Sequence, residues 1–474
     1  MKIRLNSILI ILVLVVLVFF FLADKDDTYL ISSEPQIYLL LIVTLASLLV
    51  NAQFKNEFLD VINIVFVGFY LCRIPFLFAA GMGSDVTQRG VDVSEIPWMI
   101  IILTFQYLLL VVCTMIINPK IPRPLNNINH QHSEFIFKRL ITWSFIIIFS
   151  NTILTTFWFD LHIETLSNVP AILKTIFTIP SALSLIIISS ILIGKNIFLK
   201  YKYHIATCII LSGSVIVFQG GKGFMLELIL FVFLATLVVH GSLVFRLRDL
   251  LILAGLGLVA VGLYSAGILL RVFQVGENKD LPSLIQNFIE KNNFLDLLNA
   301  ISYRIGYFDF FIEKISNPVY VPFVSFTYYF KALIDKVTPG FDVFGVPFMS
   351  RALFGAYHGD SPINNSEFIT VFGEVYLLVG FFSFCFYVPL LLIIKYVLSK
   401  FRTPSREANV IFYMFVIYMF YWWLTGMGLD MLVAFIIYNG IFTLFTIGLI
   451  GMWYRTKTGV TMLSFFRNKY IVRT

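Results

Sequence analysis

Three arginines and three proton-carrying side chains fall in one stretch of about a hundred residues. Arg271 closes an apolar run. Arg304 sits in Ser302-Tyr303-Arg304-Ile305-Gly306-Tyr307, and Arg351 follows Pro347-Phe348-Met349-Ser350. Guanidinium groups present paired donors that match phosphate oxygens, so such a set suits an anionic, pyrophosphate-like group. Just after Arg351 come Tyr357-His358-Gly359-Asp360 and Asn364-Asn365-Ser366-Glu367. Amides and carboxylates are hydrogen-bond partners for sugar hydroxyls. His358, Asp360 or Glu367 near its working pKa can act as general base on an acceptor hydroxyl.

Further ionisable residues stand inside or at the ends of apolar runs. Arg73 lies within Phe69-Tyr70-Leu71-Cys72-Arg73-Ile74-Pro75, Lys174 approaches one run, and Lys222 caps a tight hairpin at Gln219-Gly220-Gly221-Lys222-Gly223. Glu374 and Tyr376 stand together in Phe372-Gly373-Glu374-Val375-Tyr376. An ionisable group at membrane depth points to function by default. The plainer alternative is snorkelling for Lys174 and Arg271, and pairing with a nearby cation for Glu374. Arg73, Lys222, Glu374 and Tyr376 are the candidates for holding pyrophosphate or glycan.

These residues need a scaffold, and the composition says which solvent it lives in. The 474 residues are 59% hydrophobic and only 13% charged, with mean hydropathy +0.90. A soluble domain carries about 25% charged residues. Apolar runs of about 20 residues recur near 6–23, 36–54, 61–80, 97–117, 140–159, 176–194, 205–219, 224–241, 250–272, 375–397, 408–425 and 430–452. The expected fold is therefore all-α: a polytopic bundle of about twelve transmembrane spans. Residues 1–272 carry nine spans, 273–374 form a large extracytoplasmic loop, and 375–474 carry three spans and a tail.

Charge asymmetry orients the bundle. With the N-terminus inside, Lys55, Lys120, Arg123, Lys138, Arg139, Lys195, Lys200 and Lys202 share one face with Arg246, Arg248, Lys400, Arg402 and Arg406. The opposite short loops hold only Lys25, Arg89, Lys174 and Lys222. An excess of Lys and Arg marks the cytoplasmic side, so both termini are expected there. The formal charge of +7 is explained by these loops, and nucleic acid is not an expected partner.

The outer loop has its own pattern. Apolar residues at helical spacing predict helices over 282–299, 301–315 and 326–336, with Asn317-Pro318 and Thr338-Pro339-Gly340 as breaks. Cys72, Cys113, Cys208 and Cys385 all lie in apolar runs without a CxxC or Cys/His cluster, so no metal and no disulfide framework is expected. The chain has neither a Walker GxxxxGK[ST] nor an HExxH, which argues against an ATP-driven pump and a zinc protease.

In layout, the chain resembles the Wzy-type polymerases of O-antigen and capsular polysaccharide. The resemblance lies in the number of helices, the Gly/Lys hairpin tip and the large outer loop before the last three spans. The stretch Ser366 to Gly380, with its core G-E-x-Y-x-x-x-G, looks like that family's approach to the helix after the loop. The resemblance implies a GT-C-like, integral-membrane glycosyltransferase of a bacterial inner membrane, independent of nucleotide and of metal or other cofactor. Its substrates would be oligosaccharide repeat units on undecaprenyl pyrophosphate, and its partners membrane lipid, a chain-length regulator and a flippase. It also implies outward-facing cations at the leaving pyrophosphate, here Arg271, Arg304, Arg351 and Lys222. The related O-antigen ligases place a histidine in this loop, where the sequence has His358. A ligase is the alternative enzyme, and a lipid-linked oligosaccharide flippase or other transporter the alternative of another class.

Overall fold

The computed structural model describes residues 2–22, 33–75, 92–123, 130–153, 183–191, 195–218, 224–246, 251, 255, 307–316, 325–337, 343–347, 352, 370–425 and 428–458. The described residues are mostly helical. Among the described residues, five helices are long and apolar enough to cross a membrane: α1 (Leu5–Leu22), α2 (Glu34–Phe54), α4 (Ile96–Ile117), α12 (Arg406–Leu424) and α13 (Leu429–Thr458). Between α2 and α4 runs α3 (Glu57–Val65), continued by a π-helical turn (Phe66–Tyr70) and a 3-10 turn (Leu71–Arg73). Further helices include α5 (His130–Ile153), α6 (Lys195–Phe218), α7 (Phe224–His240), α8 (Tyr307–Ser316), α9 (Phe326–Val337), α10 (Val371–Val379) and α11 (Phe384–Lys400), and residues 183–191 are helical as well.

Two expectations need correction. The fold is not purely helical: β1 (Lys2–Arg4) pairs antiparallel with β2 (Val244–Arg246), in the register Lys2↔Arg246, Ile3↔Phe245, Arg4↔Val244. A two-stranded ribbon is marginal by itself. Here α1 begins at the next residue, and the Leu5 N–H donates to the Leu243 carbonyl at 3.0 Å. The helix α6 also begins at Lys195, ten residues ahead of the expected span at 205–219, and kinks at Tyr201.

The contacts sort the bundle into two ends. Beside the ribbon, the Asn56 amide donates to Asn118 Oδ1 (2.9 Å) and to the Pro119 carbonyl (3.0 Å). Arg123 lies 3.7 Å from Glu57, and its guanidinium covers Gly241 at the foot of α7. Lys395 donates to the Ile117 carbonyl, while Ser133 bonds Glu407 and Lys200 bonds Glu134. The N-terminus, the α2–α3, α4–α5, α7–β2 and α11–α12 connections and the start of α6 thus share one end. Residues 2–4 and 244–246 meet there.

The apolar run expected to span at 375–397 is a bent pair rather than one helix. The axis turns by 115° between 371–382 and 384–400, so the two helices do not share one line across the bundle. Gly380 makes the turn at φ 60°, ψ −133°, a conformation open essentially to glycine. Breaking a helix in an apolar medium leaves carbonyls without partners. The Gly380 carbonyl is met by Ser383 Oγ (2.7 Å) and by Gln106 Nε2 (3.3 Å). Tyr387 in turn donates to Gln106 Oε1 at 3.0 Å. Gln106 stands near the middle of α4, so the elbow lies at mid-depth of the bundle. Other buried polar groups of this wall also pair: Asn51 with Asp60 (2.8 Å), and Ser47 and Tyr107 with Asn63 Oδ1 (3.1 and 2.7 Å). Pairing removes the desolvation penalty each would otherwise carry.

Candidate functional site

The irregular backbone lies away from the ribbon end of the bundle, where Phe66 stacks on Tyr107 (3.8 Å between centroids), the neighbour of Gln106 in α4. The helix α3 runs into it as the π and 3-10 turns that end at Arg73. The start of α10 faces those turns: Phe372 packs against Phe66 (5.8 Å between centroids) and Tyr70 (5.5 Å). Thr370 caps α10 by accepting the Gly373 N–H, and the Tyr70 hydroxyl approaches the Thr370 side chain. Irregular backbone at membrane depth is tolerated where protein buries it or a cavity needs it.

The helix α8 seals this region. Phe308, Phe311 and Ile312 are buried, and so are Asp309 and Glu313 one turn apart. Tyr307 stacks on Phe69 at 5.1 Å and meets Tyr70 edge-on at 5.8 Å. Burial pushes the Tyr307 phenol well above its ordinary range, so it stays a neutral donor. Arg73, only 2% exposed, places Nε and Nη2 each 2.8 Å from Asp309 Oδ2. The structure thus gives this embedded arginine a carboxylate partner on a loop helix.

Glu374 has a comparable cross-linking role. It is fully buried, and its Oε1 accepts the Leu429 N–H at 2.8 Å. Leu429 is the first residue of α13, so the carboxylate sits at that helix's positive end. The Tyr329 ring of α9 lies beside the same carboxylate. Burial, and then that charge, raises the Tyr329 phenol well above its usual range. Tyr328 is pushed up to about 12 by burial and then by Asp430. Asp430 is buried in the first turn of α13. Tyr376 is half-buried and meets Phe381 edge-on at 5.6 Å.

Of the residues singled out in the sequence, the structure places Arg73 against α8, Glu374 at the start of α13 and Tyr376 beside Phe381. Arg271, Arg304, Arg351, His358, Asp360, Glu367, Lys174 and Lys222 lie outside the described residues, as do the predicted helix 282–299 and the hairpin tip. Asp309, Tyr329 and Asp430 had not been singled out in the sequence. A lone arginine in an apolar run demands a counter-charge, and Asp309 on an amphipathic loop helix was the available signal. Among the described residues, no group of three or more His, Cys, Asp or Glu is placed to hold a metal ion.

The chain matches no family profile, no curated protein and no solved structure. The reading of the site rests on its own geometry and on the chemistry of its residues.

Proposed function

We propose that the chain is a membrane glycosyltransferase that joins lipid-linked oligosaccharide repeat units on the outer face of a bacterial inner membrane. In this reading about twelve spans cross the bilayer, and the end bearing the N-terminus and the β-ribbon faces the cytoplasm. The repeat units are carried on undecaprenyl pyrophosphate. One growing glycan is transferred to the end of another unit, and the carrier pyrophosphate leaves. Arg271, Arg304 and Arg351 would stabilise the charge that develops on that leaving group, with Lys222 beside them. A carboxylate or imidazole among Glu367, Asp360 and His358 would accept the proton of the attacking hydroxyl.

The observation that supports this reading most is the docking of loop helices onto the bundle. Through Arg73–Asp309 and Tyr329 beside Glu374, α8 and α9 are built into the scaffold rather than tethered above it. A fixed outer platform suits chemistry, because preorganised charge needs no rearrangement as the reaction proceeds. A flippase needs a path between the two ends more than a rigid lid.

The test is genetic. Deleting the gene should leave surface glycans of single repeat units in place of long polysaccharide. Normal chain length, with lipid-linked units retained on the inner leaflet, would establish a flippase instead.

A further inference from the structure

The helix α9 carries an apolar face that is exposed among the described residues. Its inward face, Tyr329, Ala332 and Asp335, packs toward α13. On its other face Phe326 is 58% exposed and Phe330 63% exposed. The strap 343–347 extends this patch. Asp335 accepts the N–H groups of Phe344 (2.8 Å) and Val346 (2.7 Å), and Tyr328 donates to the Pro347 carbonyl at 3.0 Å. The fixed strap leaves Val343 59% and Phe344 46% exposed, with the Lys331 ammonium 5.8 Å from the Phe344 ring centroid.

Exposed aromatic groups inside a span need no explanation beyond lipid, but these belong to a connecting segment. Contiguous apolar patches on such segments mark a partner. Depth is given by the neighbours. Tyr328 and Tyr329 lie beside Asp430, in the first turn of α13, and α13 goes on to expose Ile436, Ile441, Leu444 and Phe445. The patch is therefore level with the start of α13, whose further turns expose an apolar flank. A short amphipathic helix with Phe at i and i+4 and a flanking Lys is the pattern of an interfacial helix. A sugar chain is a poorer fit, since among the described residues the polar side chains exposed on this face are Thr327 and Lys331.

We infer that α9 and its strap lie in the outer leaflet, with Phe326, Phe330, Val343 and Phe344 inserted at the boundary of headgroups and acyl chains. Lys331 then sits among the lipid phosphates. The insertion sets Tyr329, and the Glu374 carboxylate beneath it, just below headgroup level. This rests on the reading of the chain as a membrane protein and is independent of the reaction it performs.

The test is spin-label accessibility in proteoliposomes. The full chain would carry a single nitroxide at Phe326→Cys, Phe330→Cys or Phe344→Cys, with Cys72 and Cys385 replaced by Ala. All three positions are exposed, so the label should not disturb packing. Leu444→Cys serves as the lipid reference and Lys200→Cys as the aqueous one. The inference predicts collision with oxygen several-fold above collision with a water-soluble nickel chelate at all three sites, as at Leu444. Nickel accessibility equal to that at Lys200 would overturn it and make the patch a water-facing surface for glycan or protein. Protection from both reagents would overturn it in favour of a protein cover. If Leu444 itself read as aqueous, the membrane reading would fail, and the inference with it.

Discussion

Arg73 and Asp309, 236 residues apart in the chain, meet inside the bundle with two guanidinium nitrogens 2.8 Å from one carboxylate oxygen. The pair joins the end of α3 to the loop helix α8. Arg73→Ala leaves a buried carboxylate without its cation, at a cost of about 3–5 kcal/mol. Asp309→Asn leaves the converse. Replacing both with apolar residues of similar volume should restore most of the stability, since a buried pair is worth little more than good packing. Melting of the purified protein in detergent checks this. A double variant no more stable than the single ones would deny that the two residues act as a pair.

The elbow gives a second prediction. Gly380 has no atom within 4 Å of where a Cβ would stand, so Gly380→Ala strains the backbone without a clash. At φ 60° the strain is about 1–3 kcal/mol. Gln106→Leu takes a donor from the Gly380 carbonyl and leaves the Tyr387 hydroxyl without its acceptor, costing about 1–3 kcal/mol. Both should show as a lower melting temperature and faster cleavage near residue 380 by protease. An unchanged Gly380→Ala protein would mean that the turn is not fixed as described.

The ribbon tests the sidedness of the bundle. Ile3 and Phe245 are register partners, and the side chains of such pairs lie about 4.5–5.5 Å apart. Ile3→Cys with Phe245→Cys should form an intramolecular disulfide on mild oxidation, whereas Ile3→Cys with Leu251→Cys should not. A cytoplasm-only reporter fused at Arg402 or Arg248 should be active, and one at Asn293 inactive. Activity at Asn293 would reverse the orientation and remove the extracytoplasmic site.

Much of the scaffold was legible because apolarity and helical spacing are local properties. The long apolar runs at α1, α2, α4, α12 and α13 fall where the sequence puts them. The loop helix expected over 326–336 appears as Phe326–Val337, and the one expected to end before Asn317-Pro318 ends at Ser316. What the sequence hid is direction and partnership. Hydropathy across Val371–Lys400 is continuous and says nothing of a 115° turn. The ribbon pairs two three-residue strands some 240 positions apart, too short for any periodic signal. The G-E-x-Y-x-x-x-G stretch looked like a span's beginning. In the structure its glutamate sits at the start of another helix, and its last glycine is the elbow.

The three arginines carry the last prediction. Arg271, Arg304 and Arg351 should line one outward cavity, and at least two should contact the donor pyrophosphate. Aromatic residues flank them in the sequence (Phe273, Tyr303, Tyr307, Phe348, Phe354), and charge in a lower dielectric binds phosphate more strongly. Replacing Arg by Lys keeps the charge and loses the paired-donor fork. Losing one such contact to a developing charge costs about 10²–10³ in rate, so each Lys variant should slow polymer formation by about tenfold or more. Arg73→Lys is a different case, because Asp309 already holds that guanidinium. Its loss should lower stability more than it changes turnover by correctly folded protein. Arg402 is exposed on the other end, and Arg402→Lys serves as the control, since exposed substitutions rarely cost more than about 0.5 kcal/mol. The measurement is polymer formed by membranes holding matched amounts of each variant. If Arg271→Lys, Arg304→Lys and Arg351→Lys all polymerise at the parent rate, those arginines do not bind the leaving group.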